Sequence, residues 1–267
     1  MQTLRRPAVM VSLALLALLT LAAILAPVLP LADPLKGDLM NSLQSPSASH
    51  LLGTDTLGRD VLSRMIYATR ISLTVAAGAV IVALVVGALL GTLAGYFGGK
   101  FDSIVSFITD AYLAFPPILL AIAILGALGR GTVNTIGAIA FIFVPRFIRV
   151  ARGAVVARKG DVYIDAAKVI GAPTRWIIRR HVLPNIAAPI IVQAALAAGF
   201  AMLAEASLSF LGLGVQAPAA SWGSMLGDAS QQIYRQPLLM IWPGIAIAIC
   251  VFCFNLLGEA MRDRMRA

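Results

Sequence analysis

Long apolar stretches separated by short polar ones set the pattern of this chain. Residues 7–32 and 71–99 carry no charge, and 103–128 carries only Asp110. The run 131–145 is charge-free and ends at Arg146 and Arg149. Residues 182–227 carry only Glu205, and 236–258 carry no charge. About 20 apolar residues, at 1.5 Å rise each, cross roughly 30 Å of hydrocarbon. The runs therefore predict six helices, about 8–31, 72–96, 103–128, 133–150, 187–211 and 238–258, the fourth being the shortest. The fold class is an all-α, polytopic membrane helix bundle. The first run could be a signal peptide behind Arg5 and Arg6, but it is longer than a typical signal core and Pro30-Leu31-Ala32 is a poor cleavage site. A retained anchor helix is the better reading.

Composition narrows the class. Of 267 residues, 60% are apolar and 12% charged, against roughly 45–50% and about 25% in soluble domains. So few charges cannot cover a water-facing surface, which excludes a soluble enzyme. Disorder is excluded because it needs low hydrophobicity. Two cysteines exclude a disulfide framework.

Charge placement orients the bundle. One face collects Arg5, Arg6, Lys100, the basic residues from Arg146 to Arg180, Arg262, Arg264 and Arg266, fifteen of the twenty-one Lys and Arg. The opposite face mixes six basic residues with Asp33, Asp38, Asp55, Asp60 and Asp228. Both termini and the basic loop are thus expected in the cytoplasm. The net charge of +9 is a topology signal. It does not point to nucleic acid, since no soluble basic face with stacking aromatics accompanies it.

Three stretches are too polar to span: 33–70 and 212–236 outside, and 152–185 inside. In the inner one, Asp161 is placed to cap a helix by accepting its first N–H groups. Val162, Ala166, Val169 and Ile170 share one face, Lys168 suits the last turn, and Gly171 is a natural stop. Pro173 opens a second short helix with Trp176, Ile177 and Val182 opposite Arg175, Arg179 and Arg180. Leu183-Pro184 ends it, because a residue before proline leaves the helical region. One reading is a basic interfacial helix pair attracted to anionic membrane lipid. The small residues Ala166 and Ala167 fit the other, docking into a protein groove.

Asp165-Ala166-Ala167-x(3)-Gly171-x(9)-His181-x-Leu183-Pro184 resembles the E-A-A-x(3)-G-x(9)-I-x-L-P loop of permease subunits of binding-protein-dependent ABC importers. Asp165 stands for the motif Glu and His181 for its Ile. Residues 50–64 (HLLGTDTLGRDVLSR) look like the external segment of the second permease of dipeptide, oligopeptide and nickel importers. Residues 205–216 (EASLSFLGLGVQ) with Ser221-Trp222-Gly223, and 254–258 (FNLLG) with Arg262-Asp263, are similar to the same family's fifth-helix exit and C-terminus.

The resemblance implies a type I importer permease fold in the inner (plasma) membrane of a prokaryote. Residues 1–70 would be the anchor helix and external segment, and 71–267 the permease core. It implies a homologous permease as heterodimer partner, two cytoplasmic ATPases and an extracytoplasmic solute-binding protein. ATP and Mg would belong to the ATPases and no cofactor to this chain. Asp165, Ala166, Ala167, Gly171 and Pro184 are carried over as ATPase-coupling positions. The solute would be a di- or oligopeptide; nickel, glutathione or another small solute on the same scaffold is the alternative, and an ATP-independent channel or carrier a distant one. The chain's own residues fit dependence on partners. A phosphate loop needs G-x(4)-G-K-[ST], whereas Gly99-Lys100 is followed by Phe101 and preceded by Ala94 at the first Gly position.

Asp110 and Glu205 are ionisable groups within spans, and such groups face a bundle interior or a water path. Glu205, Ser207, Ser209 and Asp110 are therefore candidates for pathway or gate, against a structural carboxylate as the alternative. Gly87, Gly91 and Gly95 allow close helix packing. Cys250 and Cys253 read as small packing residues, since a metal would need more ligands. His50 reads as a turn residue, with contact to a metal solute as the alternative. The Asp55–Asp60 turn reads as a structured outer cap or binding-protein contact, and Trp222 as part of that contact or an interfacial anchor. A self-contained membrane enzyme would need a nucleophile with a base, or clustered His and carboxylates, at one depth; the sequence offers none.

Overall fold

A computed structural model describes residues 7–266. Arg5 and Arg6, counted above on the basic face, lie outside them. Among the described residues the chain is all helix and connecting loop, with one isolated antiparallel bridge between Thr54 and Asp60. Helix α1 (Pro7–Leu25) is apolar all round and lies along α10 (Leu238–Arg266) and α2 (Val61–Phe97). Among the described residues four stretches, α1, α2, 174–210 and α10, are long and apolar enough to cross a membrane, against six predicted. The predicted fourth span, 133–150, is not among them; Arg146 and Arg149 lower its hydropathy.

Helix α2 begins eleven residues before the predicted start at 72. The charges that looked like a boundary are accommodated inside it. Arg64 is buried, with Nε 3.3 Å from Asp55 Oδ2 and Nη1 donating to the Pro34 carbonyl. Asp60 caps the helix: its Oδ1 accepts from Ser63 N–H at 2.8 Å, while Oδ2 pairs with His50 Nδ1 at 2.9 Å. Thirty-seven residues run about 56 Å, so α2 overshoots a bilayer and carries its Asp60 end beyond it.

The run 103–128, predicted as one helix, is two. Helix α3 (Gly99–Leu113) and α4 (Pro117–Leu128) meet at 94° across a three-residue break and together would make a fifth span. Phe115-Pro116-Pro117 explains the break. Neither proline can donate to the helix ladder, and each disfavours helical backbone at the residue before it.

Helix α5 (Thr132–Arg158) extends eight residues past the predicted end at 150, with Arg146, Arg149, Arg152 and Arg158 in its second half. It packs along α2 through the predicted glycines. A Cβ added at Gly87 would sit 2.8 Å from the Val144 carbonyl oxygen, and one at Gly95 2.9 Å from that of Arg152. Helix α8 (Leu183–Phe210) lies at the centre, against α2, α5 and α10. Its apolar residues cover every side, as a central helix requires.

Helix α9 (Trp222–Ser230) is held by a capping box between Ser221 and Ser224. Trp222, read above as an outer contact or interfacial anchor, is instead fully buried. Its backbone N–H donates to Ser72 Oγ at 3.1 Å and its indole Nε1 to the Met65 carbonyl at 3.2 Å. It fastens α9 to α2. Cys250 and Cys253 are free and buried on α10.

Candidate functional site

The basic loop folds into α6 (Val162–Val169), α7 (Thr174–Ile177) and a π-helical turn (Ile178–Val182) that runs into α8. Asp161 occupies the N-cap position of α6, but its side chain does not cap; its carbonyl accepts from Ile164 and Asp165 N–H, and its carboxylate lies 3.9 Å from Arg158 Nη1. Ile164 and Ala167 turn inward and are buried. Val162, Ala166, Val169 and Ile170 turn away from the bundle, Val169 being 87% exposed and Ile170 79%. Asp165 lies beside this face, bonded to Lys168 Nζ at 2.8 Å. Apolar side chains this exposed on a short helix are an interaction surface in waiting.

The end of α6 is a Schellman turn. Gly171 N–H donates to the Lys168 carbonyl at 3.0 Å and Ala172 N–H to that of Ala167 at 3.0 Å. The turn requires φ of +76° at Gly171, while nothing lies within 4 Å of a Cβ built there. Glycine is needed here for its backbone and not for space.

The predicted stop at Leu183-Pro184 does not occur. Leu183 is helical, and its N–H reaches back five residues to the Ile178 carbonyl. The widened turn makes room for the Pro184 ring, and the Asn185 side-chain amide donates to the His181 carbonyl at 2.6 Å. Pro184 therefore sits in the first turn of α8, exposed. The loop is thus joined rigidly to the central helix. His181, where the motif has Ile, lies between two rings: Trp176 with centroids 4.8 Å apart and Tyr163 at 5.8 Å. It clasps α6 to the turn beneath α8, a contact between segments that spacing alone does not display.

The four pathway or gate candidates separate in space. Glu205 is fully buried; its Oε1 accepts from Ser209 Oγ at 2.7 Å, and its Oε2 has no hydrogen-bond partner, with the hydroxyls of Ser72 and Ser221 alongside. Ser209 also receives Val215 N–H at 3.3 Å. Glu205 and Ser209 thus lie where α8 meets α2 and the start of α9. Ser207, on another side of α8, donates to the Leu203 carbonyl within its own helix. Asp110, at the end of α3, is exposed and pairs with Arg149 Nη2 at 2.7 Å. One turn further along α5, Arg152 grips Asp102 through both Nε and Nη2. Arg149 and Arg152 were not among the predicted candidates; their three-residue spacing, with aspartates at 102 and 110 before them, was the available signal.

The family model described as "Binding-protein-dependent transport system inner membrane component" matches residues 87–267. The dipeptide transport system permease protein DppC of Alkalihalophilus pseudofirmus is 45% identical over 92% of this chain and 81% of its own length. The glutathione transport system permease protein GsiD of Pectobacterium atrosepticum is 41% identical over 83% of this chain and 74% of its own. The nickel transport system permease protein NikC of Escherichia coli K12 is 39% identical over 97% and 94%. Among solved structures, a chain of the MetNI methionine ABC transporter superposes with a TM-score of 0.60 at 17% identity, over 74% of this chain and 93% of that one, and so shares its fold. With the loop, the helix order and these relatives in agreement, the chain belongs to the inner-membrane permease components of binding-protein-dependent transport systems, within their peptide and nickel importer branch.

Proposed function

We propose that this permease forms half of the translocation pathway of an ATP-driven importer for di- or oligopeptides. The observation that carries the reading is the exposed apolar face of α6, ended by the Gly171 turn, after which 174–210 run as one helix through α8. Docked in a groove of an ATPase subunit, that face would transmit closure of the ATPase pair to the central helix. Asp165, Ala166, Ala167 and Gly171 are the coupling residues in this scheme, and Pro184 fixes where the loop joins α8. A homologous permease completes the pathway and two cytoplasmic ATPases hold ATP and Mg. An extracytoplasmic binding protein delivers the solute at the Asp60 end, and both termini lie in the cytoplasm. Glu205 with Ser209 serves as a gate, because rocking α8 against α2 and α9 must disturb their junction. The peptide solute is supported by the DppC likeness; the GsiD and NikC likenesses keep glutathione and nickel as the alternatives.

The test is co-purification from the native host in mild detergent, wild type beside Gly171→Arg. A side chain at φ +76° costs about 1–2 kcal/mol at that turn, and the arginine projects beside the docking face. The expected result is a second permease with two ATPases for wild type and loss of the ATPases for the variant. Wild type that emerges alone, from a preparation that keeps other such complexes intact, would overturn the reading.

A further inference from the structure

Helix α5 carries Arg146, Arg149 and Arg152 at three-residue spacing. Arg149 and Arg152 are neutralised by Asp110 and Asp102 of α3. Among the described residues Arg146 has no ion pair. It is half-buried, with its guanidinium over two aromatic rings, 5.3 Å from the Phe143 centroid and 5.6 Å from that of Phe200. Phe200 lies ten residues before the end of α8 at Phe210, roughly 15 Å in from that end, so Arg146, counted above on the basic face, lies inside the helix bundle and not beyond it. An unpaired cation at that depth is costly and faces a bundle interior or a water path.

The contact with a second helix bears on what the cation serves. A helical side chain leans towards the helix N-terminus, so Arg146 passing over Phe143, one turn back, is the ordinary geometry. The Phe200 ring, from α8, is the contact that places the guanidinium between the two helices. The two rings attract the cation but are not carboxylates, so its N–H groups remain to donate. A guanidinium edge matches a carboxylate, which can accept two parallel hydrogen bonds from it.

We propose that Arg146, cradled by Phe143 and Phe200, is the station in the pathway that receives the carboxylate of the passing solute. The inference rests on the importer reading and deepens it. Arg146 would hold a solute released from the binding protein long enough for the helices to rock, so that each ATP cycle moves cargo.

The test is the co-purified complex in proteoliposomes, supplied with its binding protein loaded with dialanine, and the readout is ATP hydrolysed per dialanine imported. Arg146→Gln should assemble, retain hydrolysis stimulated by the loaded binding protein, and raise that ratio about tenfold, the loss of one charge-assisted hydrogen bond. Arg146→Lys keeps the charge and should stay nearer wild type. An unchanged ratio in Arg146→Gln overturns the inference and leaves the importer reading standing. Loss of a partner subunit from both variants also overturns it, by making Arg146 an assembly contact. Wild type that imports nickel in place of dialanine overturns it too, because a cationic cargo has no use for a guanidinium. Wild type with no ATP-driven uptake of either overturns both readings.

Discussion

The α2–α5 seam supports a matched pair of substitutions in one helix. At Gly91 an added Cβ overlaps the Ile148 carbonyl oxygen and lies 2.9 Å from Ala151 Cβ and 3.0 Å from Arg152 N. Backbone atoms cannot swing aside, so α2 and α5 must part. Carbon–carbon contacts are best at about 3.5–4.0 Å, so the required separation is roughly 1 Å. At Gly78, thirteen residues earlier in α2, the added Cβ meets only the Ile136 side chain, at 3.5 Å, which is ordinary contact. Glycine to alanine within a helix gains about 1 kcal/mol at either site, and this gain cancels between them. Overpacking remains, at about 1–3 kcal/mol. Gly91→Ala should therefore be less stable than Gly78→Ala by that amount. Both native cysteines are buried, so thermal unfolding in detergent can be followed by a thiol-reactive dye. A Gly91→Ala protein that melts with or above Gly78→Ala would refute the seam as the tight contact between these helices.

Other sites give independent checks. Asp60→Ala should cost about 1 kcal/mol from the lost cap and release His50, whereas Asp60→Asn retains an acceptor for Ser63 N–H; the same melting assay separates them. Glu205→Gln should assemble normally yet import more slowly, since the amide oxygen still accepts from Ser209 but the junction with α2 and α9 is altered; uptake equal to wild type would remove the gate. Glu205→Leu leaves the buried Ser209 hydroxyl without this acceptor, at about 1–3 kcal/mol, and should melt below Glu205→Gln.

How much of this was legible beforehand depends on how local the cause was. Charge-free runs marked the bundle, because the bilayer filters on composition. The stop at Gly171 was legible because a left-handed turn needs glycine whatever surrounds it. The start of α2 was misread because Arg64 counts as a boundary until Asp55 and the Pro34 carbonyl are seen beside it. The break at Pro116-Pro117 was present in the sequence, but run length outweighed it. Pro184 was read as a stop by a sound rule, which the π turn at Ile178–Val182 circumvents. Trp222 could not be placed, since its partners Met65 and Ser72 lie some 150 residues away. At the candidate site, the small and apolar residues of α6 could be read from spacing. Which of them turn outward depended on Ile164 and Ala167 finding the bundle.

The central claim is that transport by this permease is driven by ATP on partner subunits. The most direct measurement is uptake of labelled dialanine by cells expressing the whole system, with ATP depleted by arsenate while the proton gradient is kept. The account predicts that uptake stops. Uptake that continues at the original rate on the gradient alone would contradict it and leave a carrier in its place.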